Sequence, residues 1–200
     1  LKILKANKFY NVLLSEKDKG LYYAMNKGLK ISTGKVILYV NSGDTITKNS
    51  LKIVYNEFKK NKKISFLFGT VLRHYKTDII LKFGYNFKRM MYNFDFATSH
   101  STGFFLKKKI YNQIGNYDTK FKCSADYDLY FRLYKKNVVG SFTKKKDLIG
   151  KVSSGGFSSR LTFWEHLFEE TNIRIKNKQS LFFIVIIFFN AILKYFLKRI

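Results

Sequence analysis

The sequence predicts an α/β fold: a mostly parallel central sheet with flanking helices, followed by a C-terminal apolar helix. Three observations carry this. Leu21, Ala24, Met25, Gly28 and Leu29 follow the i, i+3, i+4, i+7, i+8 spacing of a helix that buries one face. KVILYV, residues 35–40, is an unbroken apolar run rich in β-branched residues, as in a strand covered on both faces, and it leads straight into the polar turn NSGD. Helical and strand-like segments then alternate along the chain, which argues for strands and helices in layers.

In chain order, STG at Ser32 to Gly34 ends the first helix before the KVILYV strand. Thr47 is placed to cap a helix carrying Leu51, Val54, Tyr55 and Phe58 on one face. ISFLFGTVLRHY and DIILKFGYNF, from Ile64 onward, read as further strands. Ser124 is the expected cap of ADYDLYFRLYKKN, whose acids fall in the first turn and lysines in the last, as the helix dipole favours. VVGSFT reads as the last strand. The loop SSGGFSS, residues 153–159, leads into an amphipathic helix through Leu161, Trp164, Leu167 and Phe168.

The tail differs in kind. LFFIVIIFF, Leu181 to Phe189, runs on through NAIL between flanking Lys178 and Lys194. That is short against the roughly 20 residues a membrane crossing needs, which favours an interfacial helix, with a subunit contact or core helix as the alternative. The expected division is therefore a main domain over residues 1–176 and a membrane-associating tail over residues 177–200.

With 200 residues, of which 46% are hydrophobic and 18% aromatic, the chain is large enough to bury a core. Its formal charge of +25, from 38 Lys and Arg against 13 Asp and Glu, attracts any polyanion: nucleic acid, an anionic membrane or a phosphorylated small molecule. The lysines are scattered rather than blocked, which points to a solvated basic surface. The single Cys123 excludes an internal disulfide and a cysteine-rich zinc site.

Ligands of open α/β sheets gather beyond the carboxyl ends of the strands, and NSGD follows one. There Asp44 can offer a carboxylate to Mg²⁺ or Mn²⁺, with Asn41 joining through its carbonyl or a water, while Gly43 lets the backbone come close. Asn, Ser, Gly and Asp are also the commonest turn residues, so NSGD taken alone is equally an ordinary turn. Asp126 at a helix entrance is placed to serve as a general base in a cleft. Asp128, two residues on, points elsewhere and reads as structural, and complementing the dipole would explain both acids. His100 lies in TSHSTGFF, whereas His74 and His166 stand alone. No HExxH, Walker, GxGxxG or GxSxG motif occurs, which removes support for zinc hydrolysis, P-loop, dinucleotide and serine-hydrolase chemistry.

Taken together these segments resemble a known family. SEKDKGLYYAMNKGLKISTGKVILYVNSGD, from Ser15 to Asp44, closely resembles the stretch SE-x-D-x-G-[IL]-Y-x-A-M-N-K-G running to LNSGD in family 2 glycosyltransferases of bacterial surface-polysaccharide synthesis. HSTGFFLKKKIYNQIGNYDTKFKCSADYDLYFRL resembles their later block, and SSGGFSS their Gly-Gly-x-Ser loop. The resemblance implies a GT-A fold and a hexosyl-type, inverting transfer from a nucleotide-diphosphate sugar to a hydroxyl of a growing glycan or lipid-linked acceptor, as in capsule or lipopolysaccharide synthesis. It makes Asp44 the last acid of the metal-binding DxD element, for Mg²⁺ or Mn²⁺, and Asp126 the catalytic base of an ED-type motif. It puts Asp18, Asn26, Lys27 and Asn41 with the donor, and His100, Gly155, Gly156 and Ser158 on the acceptor side.

This chain departs from the pattern at Asn41, where the family has the first Asp of DxD, and at Ala125, where it has Glu. The family's opening strand, helix and second strand have no counterpart here, so residues 1–176 are expected to form an N-terminally incomplete domain. Basic surface and apolar tail together suit a cytoplasmic protein peripheral to the inner membrane, with no nucleic acid as partner. The alternatives are a basic nucleic-acid-binding module that stacks bases on aromatics set among lysines, and an inactive truncated relative.

Overall fold

A computed structural model describes residue 6 and residues 10–75, 77–92 and 101–197, apart from the side chain at 158. Helix α1, Leu21–Ile31, turns Tyr22, Met25 and Leu29 into the core. Strand β1, Val36–Leu38, follows, and β2, Thr45–Ile46, lies just beyond the NSGD turn. Helix α2 is Ser50–Lys60. Strands β3, Phe66–Phe68, β4, Thr70–His74, and β5, Ile79–Lys82, lead to the short helix α3, Phe87–Tyr92. A 3₁₀ turn at Ser101–Gly103 opens β6, Phe104–Lys107, which runs directly into α4, Lys108–Ile114. Helix α5, Ala125–Lys135, precedes β7, Gly140–Phe142, and β8, Leu148–Val152. Helices α6, Phe163–Lys176, and α7, Leu181–Leu197, complete the described chain.

The strands form two four-stranded sheets, ordered β1-β6-β3-β7 and β2-β8-β4-β5. In the first, alternate residues serve two layers, as the two-residue period of a strand requires. Phe66, Phe68, Phe104 and Leu106 face the helices α1, α4 and α5, while Leu67 and Phe105 face Val54 of α2, Ile64 and Ile149. Pairing is mixed rather than mostly parallel: β3–β7 and β4–β8 are parallel, whereas β1–β6, β3–β6, β2–β8 and β4–β5 are antiparallel. The expectation of parallel pairing rested on an unbroken apolar run, yet a strand covered on both faces is apolar whichever way its neighbours run. Strand β8, absent from the sequence reading, carries Gly150 and Lys151 among its five residues, which break the apolar run.

Several local expectations are corrected. On α2 only Val54 is buried with Ser50, while Leu51 and Tyr55 are exposed. Thr47 does not cap that helix, since its hydroxyl donates to the Leu148 carbonyl at 2.8 Å and Asn49 holds the cap position. Ser124 makes no side-chain cap on α5. On α6 Leu167 enters the core, but Trp164 and Phe168 stay exposed and meet rings of α7, Phe168 lying 6.2 Å from Phe188. Thr162 and Glu165 start α6 with a reciprocal capping box. Among the described residues no helix is long and apolar enough to cross a membrane.

Asp128 is fully buried and fully paired. It accepts from Arg132 Nε at 2.9 Å, Lys176 Nζ at 3.0 Å and Asn177 Nδ2 at 2.9 Å, so it ties α5 to the end of α6. The parallel β3–β7 pair depends on a glycine: a Cβ at Gly140 would sit 2.0 Å from Cζ of Phe66, its register partner. Because Phe66 is wholly enclosed, Gly140→Ala is expected to destabilise the fold by about 3 kcal/mol through overpacking. Thermal unfolding should then show a melting point lower by roughly 5–10 °C; an unchanged one would contradict the packing described.

Candidate active site

Residues that follow β1 build the first half of the site. In the turn Asn41–Asp44 the Asp44 N–H donates to the Asn41 carbonyl at 3.0 Å, and Gly43 takes a φ of +87°, a conformation that favours glycine. One Asp44 oxygen accepts from the Thr102 hydroxyl at 2.5 Å and the other from the Ser153 N–H at 3.0 Å. The Asn41 amide donates to Ser101 Oγ at 2.9 Å, and Ser153 Oγ donates to the Gly43 carbonyl at 2.5 Å. Three distant segments thus converge on one carboxylate: the turn itself, the start of β6, and the loop after β8. Gly155 and Gly156 continue that loop into open space. His100 lies outside the described residues, as does the side chain of Ser158.

The second half is the entrance of α5. Asp126 is half-buried, and its Oδ1 accepts from the Tyr127 N–H at 2.8 Å and from the Tyr22 hydroxyl at 3.4 Å. Loss of water around the carboxylate pushes its pKa up to about 6, against these two hydrogen bonds and with some help from the Glu169 charge. At neutral pH the group is therefore ionised yet a much stronger proton acceptor than an ordinary aspartate.

Topology brings the halves together. Helix α5 turns through residues 136–139 into β7, whose first residue lies beside the first residue of β3, so the start of α5 lies toward the carboxyl end of β3. The turn after β1 and the amino end of antiparallel β6 occupy the same end of the sheet. Between them Tyr117 stacks on Tyr22 at 5.5 Å and meets Tyr39 edge-on at 5.6 Å, bridging the residue beside Asp126 to the one two places before Asn41.

Of the residues expected at the donor, Asn26 is occupied: its amide donates to the Tyr117 carbonyl at 2.8 Å and accepts from the Tyr117 N–H at 3.1 Å. Lys27 sits 2.7 Å from Asp18 Oδ1 and also pairs with Glu16, and the Asp18 and Glu16 hydrogen bonds raise its pKa. Asn26 and Lys27 border a shallow hollow of about 460 Å³ shared with Tyr23, Lys108 and Tyr111.

Residues 2–125 match the family described as glycosyl transferase family 2. The chain belongs to that family. Its fold, GT-A, is shared by S. aureus TarS residues 1–349: the structure in complex with UDP-GlcNAc superposes with a TM-score of 0.61 at 16% identity, over 90% of this chain and 55% of that one. A second TarS 1–349 structure gives 0.60 at 15% identity, over 95% and 57%. The chain therefore spans little more than half the length of these solved relatives. No match was found among curated proteins.

A divalent metal, implied by the family resemblance, has Asp44 as its one acid in the turn cluster, and among the described residues no three His, Cys, Asp or Glu converge as a ligand set. Mg²⁺ is commonly held by one or two carboxylates together with substrate phosphates. The residues present fit an ion shared with a diphosphate, not one held by protein alone.

Sequence reading missed Glu169 and Tyr22. Glu169 lies 43 positions beyond Asp126 with no local motif around it, and Tyr22 falls outside the apolar spacing of Leu21, Ala24, Met25, Gly28 and Leu29. Because the folded state raises the Asp126 pKa above its unfolded value, it favours the protonated form, and the stability associated with that form is lost as pH rises from about 4 to 6. Asp126→Asn, which cannot ionise, should therefore unfold with a free energy higher by about 2 kcal/mol at pH 7.5, the gain fading below pH about 4. Urea unfolding across this range measures it; equal stability of the two proteins at pH 7.5 would contradict the desolvation described.

Proposed function

We propose that the chain carries an inverting glycosyl transfer from a nucleotide-diphosphate sugar to an acceptor hydroxyl, with Asp126 as general base. The observation that supports this best is the half-buried Asp126 carboxylate, oriented by Tyr22 and Tyr127 at the same end of the sheet as the NSGD turn. The acceptor hydroxyl gives its proton to Asp126 as its oxygen bonds to the anomeric carbon, and the bond from that carbon to the diphosphate breaks on the opposite face. One displacement inverts the centre, and no covalent enzyme intermediate arises. Mg²⁺ or Mn²⁺, when bound, would neutralise charge on the leaving diphosphate; Asp44, with Asn41, would hold it.

Asp18 and Lys27, which pair with each other, are proposed for the nucleotide side. Asn26 supports that side indirectly by holding Tyr117. His100 and the Gly155, Gly156 and Ser158 loop are assigned to the acceptor, a glycan or lipid-linked chain. UDP-GlcNAc, present in one TarS structure, is the first donor to try.

The reading extends to the inner face of an anionic membrane. Helix α7 leaves Phe182, Val185, Ile186, Phe189, Leu193 and Phe196 exposed beside Trp164 and Phe168 of α6. Lys178 and Lys194 flank the apolar run in sequence, and the chain's net charge is +25. Such a surface combines apolar area with attraction to anionic headgroups.

Two outcomes check this reading. Asp126→Asn should lower transfer by roughly 10²–10⁴-fold while donor binding survives, and wild-type kcat/KM should fall about tenfold per pH unit below its limb near 6; full activity of the variant would refute the base. Separately, the protein should sediment with phosphatidylglycerol vesicles, less so in 0.5 M salt or after Phe189→Glu. Failure to sediment, or a salt-insensitive dimer that Phe189→Glu dissolves, would replace the membrane with a second copy.

A further inference from the structure

The segment 122–126, which ends at Asp126, is gripped from two sides by residues far away in sequence. From α6, the Glu169 carboxylate accepts from three successive backbone N–H groups, those of Lys122 at 2.5 Å, Cys123 at 3.0 Å and Ser124 at 3.0 Å. From α1, the Tyr22 hydroxyl donates to the Cys123 carbonyl at 2.5 Å and approaches Asp126 Oδ1 at 3.4 Å. The local alternative is not used: Ser124 Oγ is buried without a hydrogen-bond partner among the described residues. Glu169 thus holds the backbone that leads into α5 rather than the helix's own first N–H groups, of which that of Tyr127 goes to Asp126 itself.

We propose that Glu169 and Tyr22 are positioning residues for Asp126, gripping its backbone from opposite sides and acting on its carboxylate with opposite electrostatic sign. The inference rests on the reading of Asp126 as the base. The single Tyr22 hydroxyl proton goes chiefly to the Cys123 carbonyl and is shared with Asp126 Oδ1 at the longer distance; so placed it favours the charged carboxylate, while a second carboxylate nearby disfavours it. The groups facing Asp126 are Tyr22 from α1, Cys123 and Tyr130 from its own segment, and Glu169 and Glu170 from α6. Burial holds the Cys123 thiol up at about 12 and both phenols well above their ordinary range, so these three stay neutral near pH 6. Glu170 is itself pushed up to about 8 by burial, with Arg174 partly opposing, and is largely protonated in that range. Glu169 is thus left as the like charge that accompanies the base, and Tyr22 as the donor that restrains its effect.

The two residues should therefore move the base in opposite directions, which a purely structural role would not do. In the full chain labelled with carboxyl-¹³C aspartate, the Asp126 resonance is assigned by its loss in Asp126→Asn and titrated by NMR. Glu169→Gln, which keeps an acceptor oxygen but loses the charge, should shift the Asp126 midpoint to lower pH. Tyr22→Phe, which keeps the ring stacked on Tyr117, should shift it to higher pH. With an active donor, the acid limb of kcat/KM should follow each shift. Unmoved midpoints, or shifts of the same sign, would overturn the proposal. If Glu169→Gln loses its cooperative melt, the Tyr22→Phe titration decides alone: an upward shift supports the proposal and its absence overturns it. Opposite shifts with full transfer by Asp126→Asn would discard the base and keep the clamp; no shifts with transfer abolished by Asp126→Asn would discard the clamp alone.

Discussion

Tyr117 packs flat on Tyr22 of α1 and edge-on to Tyr39 beyond β1, and its backbone closes two hydrogen bonds with the Asn26 amide. Aromatic contacts of this kind contribute about 0.5–1.5 kcal/mol each beyond the area they bury. Their larger consequence is geometric. Tyr22 reaches the entrance of α5, and Tyr39 lies just before the NSGD turn, so one buried ring fixes the separation of the two candidate carboxylates. Tyr39 further ties itself to α1 by donating to the Met25 carbonyl at 2.9 Å. A change that loosened Tyr117 would leave both halves folded and misaligned.

How much of this was legible depends on whether a feature is local. The helix α1 with Met25 and Leu29 inward, the short strand after it, the polar turn and the helix from Ala125 follow from spacing and turn chemistry within a dozen residues, whereas Ala24 is exposed and Tyr22 buried against the expected spacing. The direction of strand pairing does not, since apolar Phe66–Phe68 is equally suited to an antiparallel neighbour in β6 and a parallel one in β7. Caps were misread for the same reason. Ser124 is a good capping residue by type, but its hydroxyl makes no cap: in the first turn the Asp126 carboxylate takes the Tyr127 N–H, while Glu169 holds the three N–H groups that precede the helix. At the site, Asp44 and Asp126 stood out as acids in a basic chain at the ends of elements. Asn26, equally conspicuous, is consumed by backbone contacts, and no sequence pattern announces such a partner 91 residues away.

The distribution of charge inside the fold runs against the chain as a whole. With a net charge of +25, the surface is broadly basic, yet Asp126, Glu169 and Glu170 gather where α5 meets α6. Concentrating acids out of water costs stability and makes one of them a stronger base; Asp128, one turn from the same entrance, shows the contrasting solution, with Arg132, Lys176 and Asn177 around it. Two aspartates in one helical turn are thus differentiated by surroundings, one fully paired and one held half-buried toward the end of the sheet. The exposed apolar faces of α6 and α7 belong to the same helix pair that carries Glu169, so docking of that pair on a membrane would bear directly on the element that holds the entrance of α5.

The central claim is that Asp44 and Asp126 address opposite ends of one bond. A crystal structure of the protein with UDP-GlcNAc and Mn²⁺ tests it most directly. The diphosphate and ion are expected beside Asp44 and Asn41, with the anomeric carbon turned toward Asp126 and space between them for an acceptor hydroxyl. A nucleotide bound elsewhere, or a sugar whose anomeric carbon faces away from Asp126, would contradict it.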